Sequence, residues 1–188
     1  MNRSSEVIEL RDHPPVAGRA DAARSEAFIR LADQHLDRAY GLARAILHDP
    51  ADAQDATHDA FLSAWRAWAT LRDQARFEAW FDRIIVNTCR NRLRSGQRRP
   101  TDISSEVAIA TGDPFAQTED RDVLGAAIAA LSPDHRIVVA LRFYRDLTVD
   151  DIAGRLGVPA GTVRSRLHYA LRALHLAIDA ADDEGPDR

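Results

Sequence analysis

The chain has no lysine; all 25 of its cationic side chains are arginine. This reflects genomic base composition more than function, although arginine suits phosphate contacts. There is one cysteine, Cys89, which excludes an intrachain disulfide and a cysteine-cluster zinc site. The seven histidines show no HExxH or other metal-ligand spacing. No glycine-rich phosphate loop and no nucleophile motif is present, so a catalytic constellation is missing and an enzyme is the least supported class. No cofactor is implied. No apolar run approaches the span of a membrane helix, which argues against membrane insertion. The first residues carry no apolar h-region of a signal peptide, and a cytoplasmic protein is the simplest fit. Strand alternation and internal repeats are also missing.

What remains is helical. Of 188 residues, 45% are hydrophobic, enough for packed cores. The net charge of −4 argues against a generic nucleic-acid coat, and its distribution says more than its sum. Arg90, Arg92, Arg94, Arg98 and Arg99 form a basic block, whereas residues 102–122 and the tail from Asp179 are acidic. The expected fold class is all-α, with two small helical domains joined by a flexible linker. Residues 1–24 read as a flexible tail, 25–95 as the first domain, 96–117 as the linker, 118–180 as the second domain and 181–188 as an acidic tail.

In the first block Leu36, Tyr40, Ala43 and Leu47 repeat at helical spacing. Asp49 can cap the next helix, with Pro50 at its first position and Asp52 in an acidic first turn. That helix carries Phe61, Ala64, Trp65 and Trp68. The segment Thr70–Arg76 breaks the pattern. A third helix follows with Phe77, Trp80, Phe81, Ile84, Ile85, Thr88 and Leu93. The linker contains Gly96, Pro100, Gly112 and Pro114 and sustains no amphipathic period. In the second block Leu124, Ile128 and Leu131 share a face. Ser132, Pro133 and Asp134 then read as N-cap, first-turn proline and an acid matched to the helix dipole. The helix they start carries Ile137, Val138, Leu141 and Tyr144.

The most informative stretch is TVDDIAGRLGVPAGTVRSRLHYAL, Thr148 to Leu171. Thr148 and Asp151 have capping-box spacing. Ile152 and Leu156 share a face, Gly157 permits the left-handed residue that ends a helix, and Pro159 sits at the start of the next. Val163, Leu167, Leu171 and Leu174 form an apolar stripe, with Arg164 and Arg166 off it. This reads as a helix-turn-helix whose second helix enters a major groove. The plainer alternative is a helical hairpin with a solvated arginine face.

Two motifs in order then carry a family resemblance: DAQDATHDAFLSAWRAW from Asp52 with FEAWFDRIIVNTCRNRLR from Phe77, and LSPDHRIVVALRFYRDLTVDDIAGRLGVPAGTVRSRL from Leu131. Together they resemble the sigma-2 and sigma-4 signatures of bacterial extracytoplasmic-function (group IV) sigma factors of the sigma-70 superfamily. The resemblance implies a subunit that binds core RNA polymerase through its clamp coiled coil and flap, directs it to promoter DNA and helps open the duplex, the polymerase making the RNA. It implies that Asp52, Asp55, Asp59, Phe61, Leu62 and Trp65, with His58, dock the polymerase, although Phe61 and Trp65 equally suit the core. It implies that Thr70–Arg76 captures a flipped base of the minus-ten element through Arg72, Asp73, Gln74 and Arg76. Asp73 stands where glycine is common in the family, which puts the loop geometry in doubt.

Phe77, Trp80 and Phe81 can stack on bases or fill the core, with Trp80 expected mainly in the core. Arg83, Asn87 and Arg90, with Arg92 and Arg94, would follow the phosphate backbone. For the minus-thirty-five element, Arg164, Ser165 and His168 match base-reading positions, and Thr162, Arg166 and Arg172 suit phosphates. Val163 and Leu167 belong to the core. Cys89 reads as a small buried hydrophobe. An anti-sigma protein that clamps both domains is a further partner known in the family, and the sequence identifies none. The competing readings are a helix-turn-helix regulator that acts without polymerase, and a helical adaptor or sigma antagonist.

Overall fold

A computed structural model describes residues 16–96 and 119–183. The expected linker and the acidic tail, apart from its first residues, lie outside these. Seven α-helices follow in order: α1 (Val16–Leu47), α2 (Pro50–Ala67), α3 (Phe77–Gly96), α4 (Glu119–Ala130), α5 (Pro133–Val139), α6 (Val149–Leu156) and α7 (Ala160–Asp183). No strand occurs among the described residues. Of the described residues, those up to Gln34 cluster into one compact unit and those from His35 into a second. α1 begins at Val16, inside the stretch expected to be a flexible tail.

Caps set the helix starts. Asp49 accepts the Asp52 N–H at 2.7 Å, with Pro50 opening α2. Ser132 accepts the His135 N–H at the start of α5. Each cap satisfies one of the donors that a helix start leaves unpaired.

α2 packs on α3 through a stripe of alanines, Ala53, Ala56, Ala60 and Ala64, all fully buried. Side chains this small let the two backbones approach closely. From α3 come Phe77, Phe81, Ile85, Val86 and Cys89; Phe77, expected among the minus-ten contacts, is 1% exposed and packs in the core instead, its ring covered by its aromatic neighbours. Phe77 and Phe81 stack at 5.5 Å, and Phe61 reaches Phe81 at 4.5 Å. Burial pushes the Cys89 thiol up to about 12, so it stays protonated and unreactive at neutral pH.

The buried face of α1 differs from the one its spacing suggested. Ala43 and Leu47 are buried, but Leu36 and Tyr40 are exposed; Ala39, Leu42 and Ile46 complete the inner face. A stripe wide enough for i, i+3, i+4 and i+7 can be rotated by one position without breaking the pattern, and here Leu36 and Tyr40 fall outside the buried face.

In the second block Ala127, Leu131, Val139, Ala170 and Leu174 form a core cluster, with Ile128 and Ala177 against it. Leu124 is exposed. On α7, Val163 and Leu174 are buried and Leu167 is half-buried, but Leu171 faces out and Ala170 takes its place. A small residue there lets α4 and α5 lie close on α7. The helical path after α5 widens into a π-turn, Ala140–Tyr144, closed by Arg145 N–H to Ala140 O at 3.2 Å.

Candidate nucleic-acid interface

The helix-turn-helix forms as its residues dictate. The Thr148 hydroxyl accepts the Asp151 N–H at 3.2 Å and donates to the Asp151 carboxylate at 2.6 Å. That hydrogen bond holds the Asp151 carboxyl below its usual range. Gly157 ends α6 at φ 66°, ψ 36°, the left-handed region in which a side chain is strained. Ile152 and Val163 are fully buried and hold α6 and α7 at this angle. Outward from that support, Arg164, Ser165, His168 and Arg172 are exposed, and Thr162 is half-buried. Ser165 donates to Thr162 O at 3.0 Å. Tyr169, which the sequence reading passed over, is exposed on the same helix and meets the His168 ring at 5.6 Å. Arg166 is engaged within the chain: its Nη2 donates to Asp134 at 2.7 Å.

Between α2 and α3 the chain makes two 3-10 turns, Trp68–Thr70 and Gln74–Arg76. Asp73 caps the second, accepting the Ala75 N–H at 3.0 Å, and its carboxylate lies 3.6 Å from Arg76. Its φ of −125° and ψ of 109° are extended backbone, so the loop needs no glycine at this position. Arg72, Asp73, Gln74 and Arg76 are exposed, as a base-capturing loop requires. Trp80 is half-buried rather than core. With Leu71, Arg76 and Arg83 it lines one wall of a cleft of about 390 Å³, whose other wall is Asp150, Asp151, Gly154 and Arg155 of α6.

The basic face of α3 is divided by its partners. Asn87 and Arg94 are exposed. Arg83 donates to the Arg155 carbonyl at 3.0 Å. Arg90 donates to Asp134 at 3.1 Å and to Asn87 at 3.2 Å. Arg92 departs from the expectation that it follows DNA phosphates. Its guanidinium lies among three carboxylates of α2, with Asp59 at 2.8 Å, Asp52 at 3.3 Å and Asp55 at 3.5 Å. The hydrogen bond to Asp59 is the main cause of its raised pKa. Helical spacing puts residue 92 on the α2 side of α3, one face away from Asn87 and Arg94, and only packing reveals this.

The same three carboxylates remain exposed on their outer side. Leu62 and Trp65, 41% and 46% exposed, continue the α2 surface beyond them. Phe61 is half-buried. It also lines a groove of about 670 Å³ with Leu36, Tyr40, Asp37, Asp55 and His58. This accounts for the two apolar α1 residues that miss the core. The exposed α2 surface is acidic at one end and apolar at the other.

Residues 31–99 match the family described as Sigma-70 region 2, and residues 127–175 match Sigma-70, region 4. The ECF RNA polymerase sigma factor SigL of Mycobacterium tuberculosis is 34% identical over 164 residues, covering 85% of this chain and 93% of the relative. The RNA polymerase sigma-E factor of Streptomyces coelicolor is 33% identical, covering 84% of this chain and 87% of that one. Among solved structures, the sigma factor RpoE from Bartonella quintana, in complex with the anti-sigma factor NepR, superposes with a TM-score of 0.64 at 21% identity. The match covers 81% of this chain and 96% of RpoE. CnrH in complex with the cytosolic domain of CnrY gives a TM-score of 0.60 at 22% identity, covering 87% and 95%. With both sigma-70 regions in order and a relative matched over nearly its whole length, the chain belongs to the ECF RNA polymerase sigma factors, transcription initiation factors that direct core polymerase to promoters.

Proposed function

We propose a division of labour within this sigma factor. The α2 surface of Asp52, Asp55, Asp59, Phe61, Leu62 and Trp65, with the adjoining α1 groove, docks the clamp coiled coil of core polymerase, and the second block docks the flap. The acids suit a basic partner and steer its approach, while the exposed apolar side chains supply contact area. Arg72, Asp73, Gln74 and Arg76 hold a flipped minus-ten base, Trp80 stacks beside it, and Arg83, Asn87 and Arg90 follow the backbone. Arg164, Ser165 and His168 read the minus-thirty-five bases, while Thr162, Arg166 and Arg172 meet phosphates. The carrying observation is the pairing of surface with support: in each sigma-70 region an exposed polar row stands on a buried apolar face.

The chain then needs no catalytic group of its own, since the polymerase makes the RNA. A cytoplasmic location follows from that partner. The two solved relatives just named are described with an anti-sigma factor or a partner's cytosolic domain, and an anti-sigma protein is the regulatory partner we assign here.

Core binding and in-vitro transcription test the reading. Leu62→Asp with Asp55→Ala is expected to abolish binding to core polymerase while the circular dichroism stays helical. Native affinity in that variant would remove the α2 surface from the interface. Transcription from genomic fragments with core polymerase, and its loss without this chain, separates a sigma factor from a stand-alone regulator.

A further inference from the structure

One arginine of the basic run on α3 is engaged on α2 instead. Arg92 lies near the C-terminal end of α3. Its Nη1 meets Asp52 Oδ1 at 3.3 Å and Asp55 Oδ2 at 3.5 Å, and its Nη2 meets Asp59 Oδ2 at 2.8 Å. It takes one oxygen of each carboxylate. The three acids nevertheless stay 58%, 70% and 53% exposed, while the Arg92 side chain is 28% exposed. The guanidinium therefore stands behind the row, on the α3 side, and the acids face outward in front of it.

The row needs such a support. Asp52, Asp55 and Asp59 are spaced i, i+3 and i+7, so they share one face of α2. Like charges at these spacings repel on a helix surface. Asp52 lies in the first turn of α2, where the helix dipole favours an acid. Asp55 and Asp59 lie beyond it, and the dipole effect falls off within that turn. Asp59, farthest from the helix start, has the shortest contact with Arg92. A planar guanidinium can fork to several carboxylates at fixed angles, which an ammonium cannot do. Exposed ion pairs are singly weak, but a network around one shared cation orders its members. Without Arg92 the acids turn apart, and a partner has to order each of them as it binds.

We propose that Arg92 is a positioning residue for polymerase docking: from α3 it holds Asp52, Asp55 and Asp59 in the geometry in which they meet the clamp coiled coil. The proposal rests on the assignment of the α2 surface to that partner. Arg92 then serves core binding, while Asn87 and Arg94, on another face of the same helix, are left to DNA. Charge and position predict opposite signs. Arg92 lowers the negative charge of the row, so as a charge alone it weakens attraction to a basic partner, and its loss should speed association and tighten binding. As a positioning residue its loss weakens binding, because the cost of ordering the acids then falls on the complex. Such a loss appears mainly in the dissociation rate.

The test measures association and dissociation of the full chain on immobilised core RNA polymerase by biolayer interferometry. Arg92→Gln is expected to dissociate about fivefold faster, the order set by one or two further side chains to immobilise, and to associate at the native rate or faster. Arg92→Lys, which keeps the charge and loses the fork, is expected to fall in between. In an Asp59→Asn background Arg92→Gln is expected to add little, because the residue acts through that carboxylate. Thermal unfolding followed by circular dichroism establishes that each variant is folded at the assay temperature. If glutamine unfolds the chain, Arg92→Lys carries the test, and a native dissociation rate there overturns the proposal. Native or tighter binding by a folded Arg92→Gln variant overturns it too and leaves Arg92 a charge only. Full additivity with Asp59→Asn does the same, since the effect then runs through the fold. A native dissociation rate with a shallower salt dependence of promoter binding in the holoenzyme returns Arg92 to the DNA phosphates. Leu62→Asp with Asp55→Ala, measured alongside, locates the fault. If that variant loses core affinity while the Arg92 variants keep theirs, only the positioning role is wrong. If all of them bind natively, the α2 docking surface is wrong as well.

Discussion

Replacing Arg136 by methionine should destabilise this protein more than any single change at its charged surface. Arg136 is only 8% exposed. Its Nη1 donates to the Ile46 carbonyl at 3.2 Å, and its Nη2 donates to the carbonyls of Ala129 and, at 3.4 Å, Leu131. Ile46 lies in the last turn of α1, and Ala129 lies in that of α4, with Leu131 just beyond it. One guanidinium therefore caps the C-terminal ends of two helices, where unpaired carbonyls and the helix dipole both favour a cation. Burial lowers the Arg136 pKa, which shows that the site exacts a desolvation cost that these acceptors must offset. Methionine keeps most of the apolar volume but orphans the carbonyls. A buried acceptor left unpaired costs about 1–3 kcal/mol. Counting the Leu131 contact as weak, the loss is about 3 kcal/mol. For a chain of this size that corresponds to a fall in Tm of about 6–12 °C. Arg136→Lys should fall in between, because an ammonium cannot fork to separate carbonyls. Urea unfolding followed by circular dichroism gives the free energies. An Arg136→Met variant within about 1 kcal/mol of the native protein would mean that water already satisfies those carbonyls and that the cap contributes nothing.

The other predictions concern pH and recognition. His48 sits at φ 61°, and its pKa is lowered from 6.5 by burial and by the nearby Arg136 and Arg44. Between 6.5 and the lower folded-state value the unfolded chain binds a proton that the folded chain does not, so stability falls as pH drops through 6.5 and levels off below the folded pKa. His48→Asn, which tolerates the left-handed backbone, should flatten the Tm profile in that window; an unchanged acid limb would assign the loss to other groups. Arg164→Ala should weaken promoter use by about 1–3 kcal/mol and relax preference at one upstream base, as loss of a bidentate contact does. Arg172→Ala should weaken binding evenly across sequences and reduce its salt slope. Promoter-library selection compares them, and an unchanged upstream profile for Arg164→Ala beside an altered one for Arg172→Ala would mean that α7 lies differently rotated in the groove.

What could be read from the residues alone was whatever local chemistry decides. Asp49, Ser132 and Thr148 start helices because their side chains satisfy the backbone next to them, and Gly157 stops one because only its backbone turns left without strain. The same locality made the helix-turn-helix legible, with Ile152 and Val163 inside and Arg164 and His168 outside. The stripes were legible in period but not in phase. Leu36, Tyr40 and Leu171 satisfy the helical repeat, yet they lie outside while Ala39 and Ala170 lie inside. A repeat fixes which residues share a face, and only the neighbouring helices decide which face is buried and where alanine is needed for close approach. Charge pairing between helices lay beyond the sequence. Arg90, Arg92 and Arg94 are near neighbours in one basic run. Yet Arg92 turns to the acids of α2, Arg90 meets Asp134 across a separation of 44 residues, and Arg94 faces outward. Coulomb attraction depends on distance in space, and that distance exists only once the helices have packed.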